Sequence, residues 1–334
     1  MKRKFLITLS TVIGIVIVVL IFRFADIGQI FFQAKEIGFL GAGIFLANAF
    51  LIILLSSLSW RIILKSYGFS PPFKDVLSAK IIGSMVSYLT PSMYIGGELL
   101  RTYIISKKHK YPMAKIGASV IVDKFLELGA GLFFIYLGSI LTLIEYKLPF
   151  QIYLTLLIVN ILFGLGMGLL LISFILKNRV FTKIATFIGR TSILSKIMSK
   201  IIPHISEIEN EIFLSFRQHR RATFIAFCLN LLAGFLIFLK PAIFFYFLEF
   251  MFRFSQLALV FALTHLILAF QFTPGALGIY ELGAVGIYRI IGIGADKALA
   301  FTLMIRFTDL IGVSIAVFLI LRFGLLKFRS EKKE

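Results

Sequence analysis

Apolar residues run through this chain in stretches of helix length, not in the two-residue alternation of half-buried strands. Uninterrupted spans fall at about 5–22, 38–60, 116–144, 150–176, 222–248 and 297–321, and two shorter, interrupted pairs at about 76–106 and 256–293. A helix needs about 20 apolar residues to cross a hydrocarbon core of roughly 30 Å. Each uninterrupted span therefore predicts a crossing, and each interrupted pair predicts two helices with a break between them. Backbone in hydrocarbon must satisfy its hydrogen bonds within its own segment, which restricts such runs to helices. The expected fold is an all-α polytopic membrane protein, a single transmembrane domain over residues 1–334.

The first span follows Lys2-Arg3-Lys4, as a secretory signal would. However, Phe5 to Phe22 is longer than a signal's apolar region, and Arg23-Phe24-Ala25-Asp26 offers no small-x-small cleavage site. It is expected to remain as a helix.

Composition agrees with the pattern. The chain is 59% hydrophobic and 15% charged, against roughly 45–50% and about 25% in soluble domains, and its mean hydropathy of +0.98 excludes a soluble enzyme. A net charge of +19 would suggest nucleic acid in a soluble protein, but its distribution points to the membrane. With the N-terminus inside, alternate gaps hold 25 Lys and Arg on the inner side and six on the outer: Arg23, Lys35, Lys147, Arg253, Arg289 and Lys297. That is the positive-inside asymmetry of a multi-pass protein, here a plasma-membrane one with cytoplasmic N- and C-termini. Cys228 is the lone cysteine, so no internal disulfide or thiolate metal cluster is available.

The largest polar insertion, residues 177–221, carries nine basic residues, with Glu207, Glu209 and Glu211 and a near-helical spacing of Ile184, Phe187, Ile188, Ile197 and Ile201. It predicts a pair of amphipathic helices on the anionic inner leaflet, with a protein-docking loop as the alternative. At 45 residues it is too short for a catalytic domain.

The chain also repeats itself at an offset of about 183 residues. Leu89-Thr90-Pro91 is followed by Glu98, and Phe272-Thr273-Pro274 by Glu281, seven residues after the proline in both cases. Lys124-Phe125-Leu126-Glu127 begins 33 residues after Pro91, and Arg306-Phe307-Thr308-Asp309 begins 32 after Pro274. Repeat A covers 38–144 and repeat B 222–323, separated by the span 150–176 and the segment 177–221. Because one span separates them, the two copies enter the membrane from opposite sides, whether each broken pair is re-entrant or crosses fully. Inverted repeats with discontinuous helices mark transporters that bind substrate near the midplane.

Thr-Pro suits a helix start within the membrane: threonine can cap an orphan N–H, and proline at the first position lacks none that it needs. The glycines Gly96 and Gly97, and Gly275 and Gly278, allow irregular backbone there. Two opposed half-helix tips would place positive dipole ends at mid-membrane and attract a phosphate. Thr90, Pro91, Gly96, Gly97, Glu98, Arg101, Thr273, Pro274, Gly275, Gly278 and Glu281 are thus the candidate substrate-binding residues.

Charged side chains in apolar segments need partners. Lys124 with Glu127 and Arg306 with Asp309 stand at i,i+3, and Asp123 with Glu127 at i,i+4. They are expected to form buried pairs. No basic residue recurs beside both Glu98 and Glu281 at one short spacing, which favours a ligand or proton role for these two; Arg101 can serve Glu98, but Ala284 occupies its counterpart position. Lys80 and His265, each in the first arm of a broken pair, are weaker candidates for a polar pathway, with His265 read as a structural histidine. Lys240 and Glu249 are expected to snorkel or sit at an interface.

The chain contains no ATP-binding phosphate loop, hydrolase motif or aspartate cluster for Mg²⁺, so neither cofactor nor metal is implied. The motifs Pro91-Ser92-Met93-Tyr94-Ile95-Gly96-Gly97-Glu98-Leu99-Leu100-Arg101 and Pro274-Gly275-Ala276-Leu277-Gly278-Ile279-Tyr280-Glu281, with Arg306 and Asp309, resemble the flippase-like transmembrane region of lysyl-phosphatidylglycerol synthases over roughly residues 8–325. The resemblance implies lipid translocation, with an aminoacylated phospholipid as the best-known cargo. The first tetrad departs from the expected arginine and aspartate by having Lys124 and Glu127. No soluble aminoacyltransferase domain is expected, so synthase activity is not implied. Two readings follow: a translocator of a phospholipid or polyprenyl-phosphate-linked headgroup, with membrane lipids as its partners, or a non-catalytic membrane partner of a separate lipid- or glycan-modifying enzyme.

Overall fold

A computed structural model describes Phe32 and residues 35–90, 96–146, 149–188, 195–268 and 273–322. The expected first span at 5–22, Pro91 and Phe272 of the Thr-Pro motifs, and the C-terminal basic tail lie outside the described residues. From Gly38 onward the chain forms helices α1 (Gly38–Ser66), α2 (Phe73–Leu89), α3 (Glu98–His109), α4 (Met113–Glu145), α5 (Phe150–Leu176) and α6 (Val180–Ile188). It continues with α7 (Ser195–Arg217), α8 (Arg220–Tyr246), α9 (Phe254–Leu268), a 3₁₀ turn (Pro274–Ala276), α10 (Ile279–Ile290) and α11 (Ala295–Arg322).

Among the described residues, five helices, α1, α4, α5, α8 and α11, are long and apolar enough to cross a membrane. They expose large apolar side chains such as Phe39, Leu162 and Leu310, as a lipid-facing surface requires. The interrupted pairs behave differently. Both α3 and α10 have 12 residues, a rise of about 18 Å that falls short of a hydrocarbon core of about 30 Å. In the first pair the chain returns to where it entered: Asp75 at the start of α2 accepts hydrogen bonds from Lys108 Nζ at 2.7 Å and meets His109 Nε2 at 3.0 Å, both at the end of α3. We call α2–α3 hairpin A and α9–turn–α10 hairpin B. Their arms can pack closely because of glycine: a Cβ at Gly97 would land on the Gly83 backbone carbonyl, and one at Gly283 on the Ile267 side chain.

Long helix, broken hairpin, long helix is the order on both sides of α5–α7. The packing is reciprocal: α4 lies on α9, and α11 on α2. The first helices of the two halves, α1 and α8, form the most extensive pair and run antiparallel. Asn48 reaches the Leu236 carbonyl (3.3 Å), whereas Ser59 accepts from Asn230 (2.7 Å) and Tyr67 lies beside His219.

The segment after α5 departs from the expected pair of surface helices. α7 belongs to the bundle: Ile212 and Phe213 are buried in an apolar cluster with Ile63, Val122, Leu126 and Phe174. Burial raises the Tyr67 hydroxyl above its ordinary range, and it donates to the Glu211 carbonyl (2.7 Å) while accepting from Ser215 (2.8 Å). α6 keeps an open apolar face, with Ile184 and Phe187 exposed, while the side chains of Ile197 and Ile201 lie outside those described. Buried Glu209 ties α6 to α7 by accepting from the backbone N–H groups of Phe181 and Thr182 and from the Thr182 hydroxyl.

Candidate functional site

Each hairpin break leads to a cluster of charges centred on the long helix that follows it. On α4, Asp123 is fully buried; its Oδ2 accepts from Lys80 Nζ of α2 at 2.8 Å and from Arg101 Nη2 of α3 at 2.6 Å. Its Oδ1 accepts from Ser59 at 3.2 Å, and Ser59 in turn accepts from Asn230 on α8. The Arg101 guanidinium lies 4.3 Å from the centre of the Trp60 ring, so its face is covered as well as its edge. Lys80 also bonds Glu127 Oε2 (3.1 Å), Glu127 Oε1 accepts from Lys124 (3.1 Å), and Lys124 stands 4.0 Å from Glu98. Three bases and three acids thus form one neutral chain. It runs from the sealed Asp123 to Glu127, whose side chain is 38% exposed.

The cluster of hairpin B is smaller and centres on Arg306 of α11. Its Nε donates to Glu281 Oε1 at 2.7 Å, and its Nη1 donates to the Gly275 carbonyl at 2.6 Å and to the Tyr88 hydroxyl at 2.7 Å. Asp309 is more loosely held, with Oδ2 at 3.8 Å from Nη1 and the Lys240 charge nearby. The cluster holds one base and two acids, and Lys240, whose ammonium lies 5.7 Å from the Phe45 ring centre, is within electrostatic reach of Asp309.

The two glutamates after the breaks share a task. Glu98 Oε2 accepts from the Gly96 N–H at 2.7 Å, and Glu281 Oε2 accepts from the Gly278 N–H at 2.8 Å. Each carboxylate thus meets the positive end of its own half-helix, where anions are favoured. The expected intrahelical pairs Lys124–Glu127 and Arg306–Asp309 are both present. The structure adds what short spacing concealed: each glutamate has a basic partner on the following long helix, Lys124 for Glu98 and Arg306 for Glu281. Asp123 pairs with Lys80 and Arg101, and Arg101 serves it rather than Glu98.

Of the two threonines, Thr273 differs from expectation, while the residues that Thr90 would cap, 91–95, lie outside the described residues. Thr90 donates to the Val86 carbonyl (2.7 Å) and Thr273 to the Leu277 carbonyl (2.9 Å), and Thr273 makes no side-chain cap. Pro274 does begin a helical turn, although that turn is 3₁₀ and α10 starts only at Ile279. His265 binds the Phe261 carbonyl of its own helix through Nδ1 (2.8 Å) and stacks on that ring, a structural arrangement. Sequence reasoning gave Lys80 too little weight and missed Tyr88, Asn48 and Asn230. A signal for the asparagines was present: they stand 182 residues apart, as do Lys124 and Arg306.

Comparison with known proteins bears on what these clusters serve. The family described as "Lysylphosphatidylglycerol synthase TM region" matches residues 7–316. The chain is similar to UPF0104 membrane protein MJ1595 of Methanocaldococcus jannaschii, 25% identical over 268 residues that make up 78% of each chain. It is also similar to UPF0104 membrane protein PH1989 of Pyrococcus horikoshii, 24% identical over 271 residues, 76% of this chain and 78% of the relative. No solved structure matches it.

Proposed function

Because this chain belongs to the lysylphosphatidylglycerol synthase transmembrane region family, we propose that it carries the headgroup of a phospholipid or polyprenyl-phosphate-linked lipid between leaflets, as a transporter and not an enzyme. The observation that carries this reading is the meeting of two half-length hairpins beside charge clusters that run from a buried acid, Asp123 or Glu281, to a partly exposed one, Glu127 or Asp309. Paired carboxylates and bases at an open edge suit a headgroup bearing both a phosphate and an amine. Acyl tails can stay in the bilayer as the headgroup passes, so no full aqueous pore is needed. The antiparallel α1 and α8, and the reciprocal packing of α4 on α9 and α11 on α2, support an inverted repeat with its transport path between the halves. In this reading the protein is a plasma-membrane protein with both termini and the α6–α7 segment in the cytoplasm, as the basic residues suggest.

The test is leaflet exchange of fluorescent lipids with different headgroups by purified protein in liposomes, without nucleotide. Wild type should exchange at least one anionic or zwitterionic lipid, and Glu98→Gln and Glu281→Gln should slow it. Unchanged exchange in both variants rejects the carboxylate role. No exchange of any anionic lipid or polyprenyl phosphate favours the other reading, a membrane partner of a separate lipid- or glycan-modifying transferase.

A further inference from the structure

Among the described residues, the Tyr88 side chain joins the ends of the two hairpins. Tyr88 stands two residues before Thr90 near the end of α2, and Gly275 stands two residues after Thr273 in the turn of hairpin B. A Cβ built on Gly275 would lie 2.7 Å from the Tyr88 hydroxyl oxygen and 2.8 Å from Cζ, so only glycine leaves room for the ring. Its φ of +62° favours glycine independently. The hydroxyl accepts from Arg306 Nη1 at 2.7 Å. The same Nη1 holds the Gly275 carbonyl. One phenol from hairpin A therefore closes over the turn of hairpin B and fixes the arginine that pins that turn. Its own helix is anchored eight residues earlier, where Lys80 joins Asp123.

We propose that Tyr88 is a latch between the halves, a positioning residue that acts through Arg306 and must release before a lipid headgroup can pass between the hairpin tips. The proposal rests on the translocation reading for its role, and on the contact itself for its existence. The latch is well suited to opening. When the phenol leaves, Arg306 keeps Glu281 and the Gly275 carbonyl, so the guanidinium is not stranded. A second acid–base pair in its place would oppose release far more strongly.

Hydrogen exchange and lipid exchange together test it. Wild type, Tyr88→Phe and Gly275→Ala are reconstituted in phosphatidylglycerol–phosphatidylcholine bilayers. Tyr88→Phe removes only the hydroxyl; Gly275→Ala pushes the ring off the turn. In both variants, amides of residues 273–281 should exchange several-fold faster than in wild type, while those of 98–109 keep their rate. Unchanged exchange at 273–281 in Tyr88→Phe overturns the latch. In the same bilayers, fluorescent phosphatidylglycerol should change leaflets faster with Tyr88→Phe than with wild type. A loosened turn without faster lipid exchange overturns its gating role. A wild-type protein that moves no lipid rejects the translocation reading instead, and the amide rates then decide whether the latch exists.

Discussion

Hairpin A and its long helix bury Lys80, Arg101 and Asp123, whereas hairpin B and its long helix have Leu263, Ala284 and Ile305 at the corresponding positions, counted from Pro91 and Pro274 and from the two tetrads. Leu263 and Ala284 are buried in one apolar cluster, and Ile305 packs against it. By contrast, the trio that follows each break recurs in kind: Glu98, Lys124 and Glu127 in one half, Glu281, Arg306 and Asp309 in the other. The difference separates two layers of design. The recurring trio caps a half-helix and ties it to the next long helix, which any such break requires. The buried triad is an addition to one half, since the other achieves the same architecture with hydrocarbon.

The largest effect should come from unbalancing that addition. Asp123→Ala strands Arg101, leaves Lys80 with Glu127 alone, and should lower stability by about 3–5 kcal/mol, the range for breaking a buried ion pair, read as the loss of thermal unfolding midpoint in detergent. Transplanting the other half's solution, Lys80→Leu with Arg101→Ala and Asp123→Ile, should recover most of that loss, because replacing a whole buried charge group by apolar residues is often neutral. A triple variant as unstable as Asp123→Ala would show that hairpin A needs its charges and would break the comparison. Next in size are the couplings around Arg306. Its closer partner is Glu281, at 2.7 Å against 3.8 Å for Asp309. Double-mutant cycles with alanine should therefore give the Arg306–Glu281 pair a coupling of about 1–3 kcal/mol and the Arg306–Asp309 pair less. Equal couplings would mean that Asp309 is not the looser member. The smallest effect belongs to the base of hairpin A, where Lys108, with a side chain 41% exposed, meets Asp75. Lys108→Ala should shift stability by no more than about 1 kcal/mol, as half-exposed pairs do. A larger shift would make that base a clamp comparable to the buried triad.

The pattern of apolar runs was enough to locate every described long helix and both interrupted pairs, because lipid imposes one rule on all of them. The recurrence of Thr-Pro, the glutamate and the tetrad was legible for the same reason, being linear. Partnership across helices was not. Periodicity identifies neighbours three or four residues apart, so Lys124–Glu127 could be read, but not Lys80–Asp123, 43 residues apart, or Tyr88–Arg306, 218 apart. Glu98 and Glu281 looked unpartnered only because their bases arrive on another helix. The α7 segment misled in a different way: an amphipathic helix has an apolar face whether it lies on lipid or on protein, and here Ile212 and Phe213 lie on protein.

The two hairpins also differ in the sign of the charge they carry. Away from its base, hairpin A bears Lys80, Arg101 and Glu98, one positive charge in sum, and hairpin B bears the single carboxylate of Glu281. In the inverted arrangement proposed above, these arms enter from opposite faces. Pushing the positive arm outward and drawing the negative one inward then shifts charge in the same electrical sense, so the two displacements add. A full crossing is worth about 2.3 kcal/mol per elementary charge at 100 mV, and a partial one a proportionate share. The contact between the tips would thus feel the membrane voltage, and a motion with little preferred direction in an unpolarised liposome would acquire one in an energised cell.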